Sequence, residues 1–364
     1  MNPMADSKRG AGPADDDGPA PPDAVERRPR EAGVRPSRPA SEPGRALAET
    51  APKPGRRPER KRRHGRERAP RTAGDHVLAY VRHQAEALVR LDPAVRRDLP
   101  DSVHRMRVAT RRLRGTLRTY RTVLDPDATG PVRDELKWLA AELGTERDRE
   151  VLDARLHARL DAAPRTDLLG PVRARLTLSS AARRAEARHR LLSVLDGDRY
   201  LALLDALDAL LADPPLLPRA DRAPEDVLPR AVLKEYRRLA GRIRHAQEQP
   251  PGPGRDTALH DARKAAKRVR YAAEAARPAL GRPAERFAAR MTTVQKVLGD
   301  HQDSVVARDA LRALAAEAHG AGESAFTWGL LYGREEAAAA ARERELPRVW
   351  ARASRPGPRK ALKG

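Results

Sequence analysis

Two blocks of this sequence recur in nearly constant register, and the recurrence limits what the chain can fold into more than any other feature. With His104 laid over His260, 156 positions on, VHRMRVATRRLRGTLRTY falls on LHDARKAAKRVRYAAEAA. The histidine and the spacing of the basic residues match. Further along, ELGTERDREV at 142–151 falls on VLGDHQDSVV at 297–306, 155 positions on, matching Leu-Gly and the pair Asp148/Asp303. A chain that repeats itself over such an interval folds as two copies of one unit.

The repeated unit is helical. From about residue 73, apolar residues return with a helical period at about 75–91, 101–124, 131–143, 147–162, 167–195 and 198–212. After the break DPPLLPRADRAP (213–224) they do so at about 225–247, 256–277, 282–298, 302–318 and 322–345. Connections are short and carry Pro, Gly or Asp, as between antiparallel helices. No window alternates with period two, so the fold class is all-α. The break separates a first half, 73–212, from a second, 225–351, each expected to be a helical bundle related to the other by a pseudo-two-fold.

The ends of the chain differ from this pattern. Residues 1–72 hold 13 of the 32 prolines and the run KPGRRPERKRRHGRER, with few large apolar residues. Such a segment cannot bury enough apolar surface to offset its ordering entropy and is expected to be disordered. Residues 352–364 read as a second loose basic tail. The most apolar stretch, Tyr200 to Ala212, is broken by Asp205 and Asp208, and MNPMADSKRG lacks a signal-peptide core. A soluble, cytoplasmic protein is the expectation, with no membrane partner and an undetermined oligomeric state.

Composition narrows the chemistry. The chain has no cysteine, which excludes disulfides, cysteine-ligated metals and thiol catalysis. Its net charge of +22 asks for a polyanionic partner. Advancing about 100° per residue from His104 places Arg107, Arg111, Arg114 and Arg118 within one arc of about 80°. Met106, Ala109, Leu113, Leu117, Tyr120 and Leu124 lie opposite. From His260 the basic arc is Arg263, Lys267 and Arg270, with Ala262, Ala265, Val269, Ala273 and Leu280 opposite. Arg105, Arg112, Lys264 and Arg268 widen the cationic face on one flank, and Glu274 stands where Arg118 would recur. Between Arg105 and Arg121 there is no acidic residue. Like charges one turn apart repel by a few tenths of a kcal/mol per pair. A single basic helix would read as a solvated face; its duplication points instead to a bound anion, and the length of the ladder to an extended one. Arginine's planar fork matches phosphate oxygens.

His104 and His260 head the two arcs and are expected to touch phosphate, with binding tightening as pH falls. Asp148 and Asp303 read as helix N-caps or as partners of a basic-helix arginine. Trp138, Trp328 and Tyr271 read as packing residues. No Walker motif, His-Glu-x-x-His or clustered carboxylates occur, so no catalytic residue, metal site or cofactor is expected.

The blocks HRMRVATRRLR, LGTERDREV, HDARKAAKRVRY and LGDHQD resemble the CHAD family, the conserved-histidine α-helical domain, over about 73–351. The resemblance implies two pseudosymmetric four-helix bundles around a basic cavity. It also implies non-enzymatic binding of inorganic polyphosphate and association with polyphosphate granules. The family's basic positions fall on His104, Arg107, Arg111, Arg112 and Arg114, and on His260, Arg263, Lys264, Lys267, Arg268 and Arg270. Lys137 and Arg147 are similar to further family positions, and Gln302 replaces the arginine expected from Arg147. Many relatives carry a triphosphate-tunnel domain with a Glu-x-Glu-x-Lys strand, which this sequence lacks. The alternative is a nucleic-acid-binding helical protein, which bulk charge and the basic tail at 53–71 fit, the tail supplying weak affinity. Few aromatics and no recognised nucleic-acid motif stand against it.

Overall fold

The first helix starts at a capping box. Thr72 Oγ1 accepts a hydrogen bond from the Asp75 amide at 3.1 Å, and the Asp75 carboxylate accepts one from the Thr72 amide at 3.0 Å. The computed structural model describes residues 70–362; the disorder expected of 1–72 lies outside this range but for its last three positions. The first half contains α1 (Ala73–Arg96), α2 (Ser102–Thr119), α3 (Gly130–Asp161), α4 (Val172–Asp196) and α5 (Asp198–Ala212). The second contains α6 (Pro224–Glu248), α7 (Pro253–Leu280), α8 (Arg282–Gly320), α9 (Phe326–Ala353) and α10 (Pro356–Ala361). Helices α1–α4 correspond in order to α6–α9. Among the described residues there is no strand, only a lone bridge between Leu124 and Leu216 that pins the 213–224 connection to the end of α2.

Each half is laid down as consecutive helices packed on one another, and α2 meets α7 where the halves join. The apolar sides of these two helices, including Met106, Leu113 and Leu117 and Ala262, Ala265 and Val269, are fully buried. One apolar cluster gathers α1–α3, the end of α4 and α5 with α6, α7, the first part of α8 and the end of α9. A second joins the distal ends of α3 and α4 (Leu156, Leu160, Leu176) to those of α8 and α9 (Leu311, Trp328, Leu331). Both clusters draw on both halves, so burial itself fixes the halves against each other, at roughly 25 cal/mol per Å² of apolar surface removed from water.

A buried ion network adds to this. Glu335 of α9 is fully buried, and it accepts hydrogen bonds from Arg155 and Arg159 of α3 at 2.6 and 2.7 Å. Arg155 also donates to Ser304 of α8 at 2.7 Å. Arg155 and Arg159 hold the Glu335 carboxyl below the usual carboxylate range against the opposing push of its burial. Removing one partner from such a network leaves a charge uncompensated, at a cost of about 3–5 kcal/mol.

Three expectations are corrected. The helices read at 131–143 and 147–162 are one, α3, and those at 282–298 and 302–318 are one, α8. The Leu-Gly pairs that resembled breaks are helix interior. Asp148 and Asp303 therefore lie inside helices and cap nothing. The expected loose tail from 352 onward is also ordered as far as it is described. Helix α9 runs to Ala353, α10 follows, and Leu362 is buried in the first cluster while Arg359 lies 4.9 Å over the Tyr236 ring. An apolar residue ten positions into the assumed tail is enough to draw it onto the core.

Candidate functional site

The glycines that looked like breaks explain how the basic helices are seated. A Cβ at Gly144 would come within 3.2 Å of the Arg107 guanidinium, and one at Gly299 within 3.6 Å of that of Arg263. Glycine inside a helix costs about 1 kcal/mol relative to alanine. Here it lets an arginine of the neighbouring basic helix lie flat across the helix barrel. Four residues on, the same helix supplies that arginine's partner. Arg107 Nη1 and Nη2 donate to both oxygens of Asp148, at 2.8 and 3.2 Å, and Arg263 Nη2 stands 3.6 Å from Asp303. The Gly-x-x-x-Asp unit is thus a duplicated seat that aims one arginine per half.

Both arginines are aimed into a cavity of about 620 Å³ between α2, α3, α7 and α8. From α2 it is lined by Arg107, Arg111, Arg114 and Arg118, and from α7 by His260, Arg263, Lys264, Lys267 and Arg268. Lys137 and Arg155 of α3 complete ten lysines and arginines, against two carboxylates, Asp148 and Asp303. Among the described residues Arg111, Arg114, Arg118, Lys137 and Lys267 have no ion-pair partner, so the positive charge is only partly neutralised. The structure does not bring His104, Arg112, Arg147 or Arg270 into this lining. On the helical wheel the cavity faces α2 near about −50° and α7 near about +10°. That rotation admits Lys264 and Arg268 on one flank of α7 and turns Arg112 and His104 of α2 away. Arg112 pairs with Glu274 at 3.0 Å, as does Arg270 at 3.5 Å, and Arg147 pairs with Glu150 at 2.9 Å.

Packing like charges together distorts their titration. Lys267 is only 9% exposed, and burial, together with Arg111, Arg263 and Arg107 and against Asp148, brings its ammonium down to about 6. Burial, with Arg107 and Arg263, also disfavours the charged form of Arg111. His260 is lowered by burial and by Lys264, while a hydrogen bond with Gln302 works the other way; His104 is lowered by burial and then Arg147. The Asp303 carboxyl is raised by burial despite Arg263. Buried and without a hydrogen-bond partner are Arg107 Nε, Arg263 Nε and His260 Nδ1. A cavity in this state carries donors and latent charge that an anion would satisfy.

Arg155 and Tyr271 line the cavity without having been singled out in the sequence as contacts. Arg155 does not recur, Ala310 standing 155 positions on, and Tyr271 read as a packing residue. Tyr271 is both: it packs against Gly115, whose Cβ would lie 3.7 Å from the ring, and it lines the cavity beneath the Arg270 guanidinium at 4.9 Å. Trp328 is core, as expected, and Trp138 packs partly buried under Arg199 at 4.2 Å. Away from the cavity, Asp256, His301 and Glu343 lie close enough to share a metal ion. The remaining oxygen of each carboxylate is engaged, by Arg308 at 2.7 Å and by Arg255 at 2.8 Å, which makes the group an ion network tying α7 to α8 and α9.

The fold and this cavity together define an all-helical, internally duplicated protein whose halves enclose a cluster of cations. The chain belongs to the CHAD family: the model of the CHAD domain matches residues 79–312. Among solved structures it is similar to the CHAD domain from the plant Ricinus communis, with a TM-score of 0.61 and 26% identity, covering 78% of this chain and 92% of that one. It shares its fold with PptA from Streptomyces chartreusis, with a TM-score of 0.63 and 24% identity, over 78% of this chain and all of that one. Two uncharacterized proteins of Mycobacterium tuberculosis, Rv2226 of strain H37Rv and MT2285 of strain CDC 1551, are each 38% identical over 86% of this chain. The match spans 58% of the length of these curated relatives.

Proposed function

We propose that the central cavity binds inorganic polyphosphate and that the protein acts by holding the polymer rather than by cleaving it. The observation that carries this reading is the cavity lining itself, ten cations to two carboxylates, five of the cations unpaired. A linear polyphosphate presents closely spaced negative charge without bases, and it suits a lining of guanidinium forks with a single aromatic, Tyr271, better than a stacking surface would. The two carboxylates are each directed at an arginine, Asp148 at Arg107 and Asp303 at Arg263, in the role of positioning the cations. A protein of this kind would follow the polymer to the granules in which it is stored.

Binding of this sort releases counterions, so affinity falls steeply with salt, by analogy with nucleic acids. The test is a titration of long-chain polyphosphate into the full chain and into Arg107→Ala/Arg263→Ala at moderate salt. Affinity should fall at least about tenfold in the variant, because each substitution removes a cation and also frees a carboxylate inside the cavity. An unchanged dissociation constant would overturn the site. In competition, polyphosphate should displace duplex DNA far better than DNA displaces polyphosphate, and the reverse order would favour the nucleic-acid reading. Incubation with polyphosphate and divalent cations should release no phosphate above a no-protein control.

A further inference from the structure

A second charged depression lies beyond the Arg118 end of α2. The turn after α2 (Arg121), the connection between the halves (Arg219, Arg222) and the first turns of α6 (Arg230, Lys234, Arg237) wall a cleft of about 190 Å³. It holds these six cations and one carboxylate, Asp226. All six are exposed, and among the described residues none of their side chains forms an ion pair or hydrogen bond. Unpaired arginines occur elsewhere on the surface too, Arg165 and Arg344 among them; what marks this cleft is that six cations wall one depression beside a single carboxylate.

The duplication supplies a control. The corresponding cleft between α1 and α7, about 450 Å³, is lined by His76, Tyr80, His83, Glu274, Arg277 and Glu285 among others, a mixed set of charges. With Asp75 laid over Asp226, Ala79 falls on Arg230 and His83 on Lys234; Arg277, 156 positions after Arg121, keeps its charge, so it is the α6 cations that occur on one side alone. The two ends of the cavity differ in the same sense. At one end Glu274 takes the place of Arg118 and closes on Arg112 and Arg270. At the other Arg118 is unpaired, and Arg268 reaches Glu235 of α6 at 3.4 Å, a carboxylate it shares with Arg238. Lys234, in the cleft, is the chain neighbour of Glu235. The two linings adjoin at the end of α2, where Arg118 of the cavity is followed by Thr119 of the cleft.

We propose that a phosphate polymer held in the central cavity leaves it at the Arg118 end and continues through the cleft between α2 and α6, so that the chain grips the polymer along a one-sided path. This rests on the polyphosphate reading of the cavity. Short and long polymers should then differ in what they feel: linear tripolyphosphate is too short to occupy cavity and cleft together, whereas long-chain polyphosphate engages both.

Both probes are titrated into the full chain and into Arg121→Ala/Arg230→Ala/Lys234→Ala. The variant should bind tripolyphosphate as the parent does. Its affinity for long-chain polyphosphate should fall about tenfold at moderate salt, and the slope of log affinity against log salt should lessen by about two. The charge-retaining set Arg121→Lys/Arg230→Lys/Lys234→Arg should keep long-chain affinity, and an equal loss there overturns the proposal. Unchanged long-chain affinity and slope, with tripolyphosphate still bound, overturns the cleft and leaves the cavity standing. A parent chain that binds neither probe overturns both. If the alanine set loses affinity for duplex DNA alone, the cleft is a nucleic-acid surface and the proposal is wrong.

Discussion

Lys267 is the residue at which stability and function oppose each other most plainly. Its ammonium is brought down to about 6 by burial among Arg111, Arg263 and Arg107, so at neutral pH the empty cavity holds it largely uncharged. In the unfolded chain a lysine titrates near 10.4. Between these values the unfolded state binds the extra proton, so this residue's contribution to stability improves as pH rises from about 6 and is worst below it. Lys267→Met should therefore raise the melting temperature of the ligand-free protein by a few degrees at pH 5.5, and by less at pH 8. A bound polyanion reverses the local field and draws the proton on. Polyphosphate affinity should then increase as pH falls from about 8 to 6, with proton uptake measurable by calorimetry in buffers of different ionisation heat. His260 and Asp303 face the same cavity, the imidazole lowered by burial and the carboxyl raised by it. In Lys267→Met the pH dependence should flatten and the affinity drop. A variant with parental affinity and an undiminished pH dependence would show that this lysine takes no part. His104, which lies outside the lining, should contribute little to it.

At the scale of the helix, the two seats differ in a way that can be measured. Alanine in place of a helix-interior glycine gains about 0.5–1 kcal/mol of backbone entropy. At Gly299 the added methyl makes an ordinary contact with Arg263 at 3.6 Å, so Gly299→Ala should stabilise by about that amount. At Gly144 the methyl crowds Arg107 at 3.2 Å, against a guanidinium already fixed on both oxygens of Asp148, and the gain should be cancelled. Urea midpoints of the two variants compare them directly; equal stabilisation at both sites would refute the seating role of Gly144. Element existence and the buried faces of α2 and α7 were legible in the sequence, because apolar periodicity registers core packing. The continuity of α3 and α8 was not. Gly144 and Gly299 carry poor intrinsic helix propensity, and the compensation comes from arginines on another helix that no local window contains. The fate of the tail past 352 was hidden for the same reason, since Leu362 finds its pocket among residues far away in sequence.

At the scale of the molecule, the duplication visible as two blocks 156 and 155 positions apart is also the device that makes the cavity, because equivalent basic helices meet face to face only when two copies pack together. Helical-wheel arithmetic recovered most of the lining from single helices. It missed the relative rotation of α2 and α7, and so placed Arg112, Arg270 and His104 with residues they do not join; Arg147 of α3, assigned from the family resemblance, is instead taken up by Glu150. It had no means of seeing Arg155, whose position depends on the buried carboxylate of Glu335. Both apolar clusters span the halves, so the cavity walls are set by the same burial that holds the fold, and truncating cavity cations should alter binding while leaving the core in place. The most direct test is a crystal structure of the full chain grown with tripolyphosphate. Phosphate density in contact with Arg111, Arg263 and Lys267 is the predicted result; phosphate confined to the outer surface, with those three side chains unchanged and unliganded, would contradict the account.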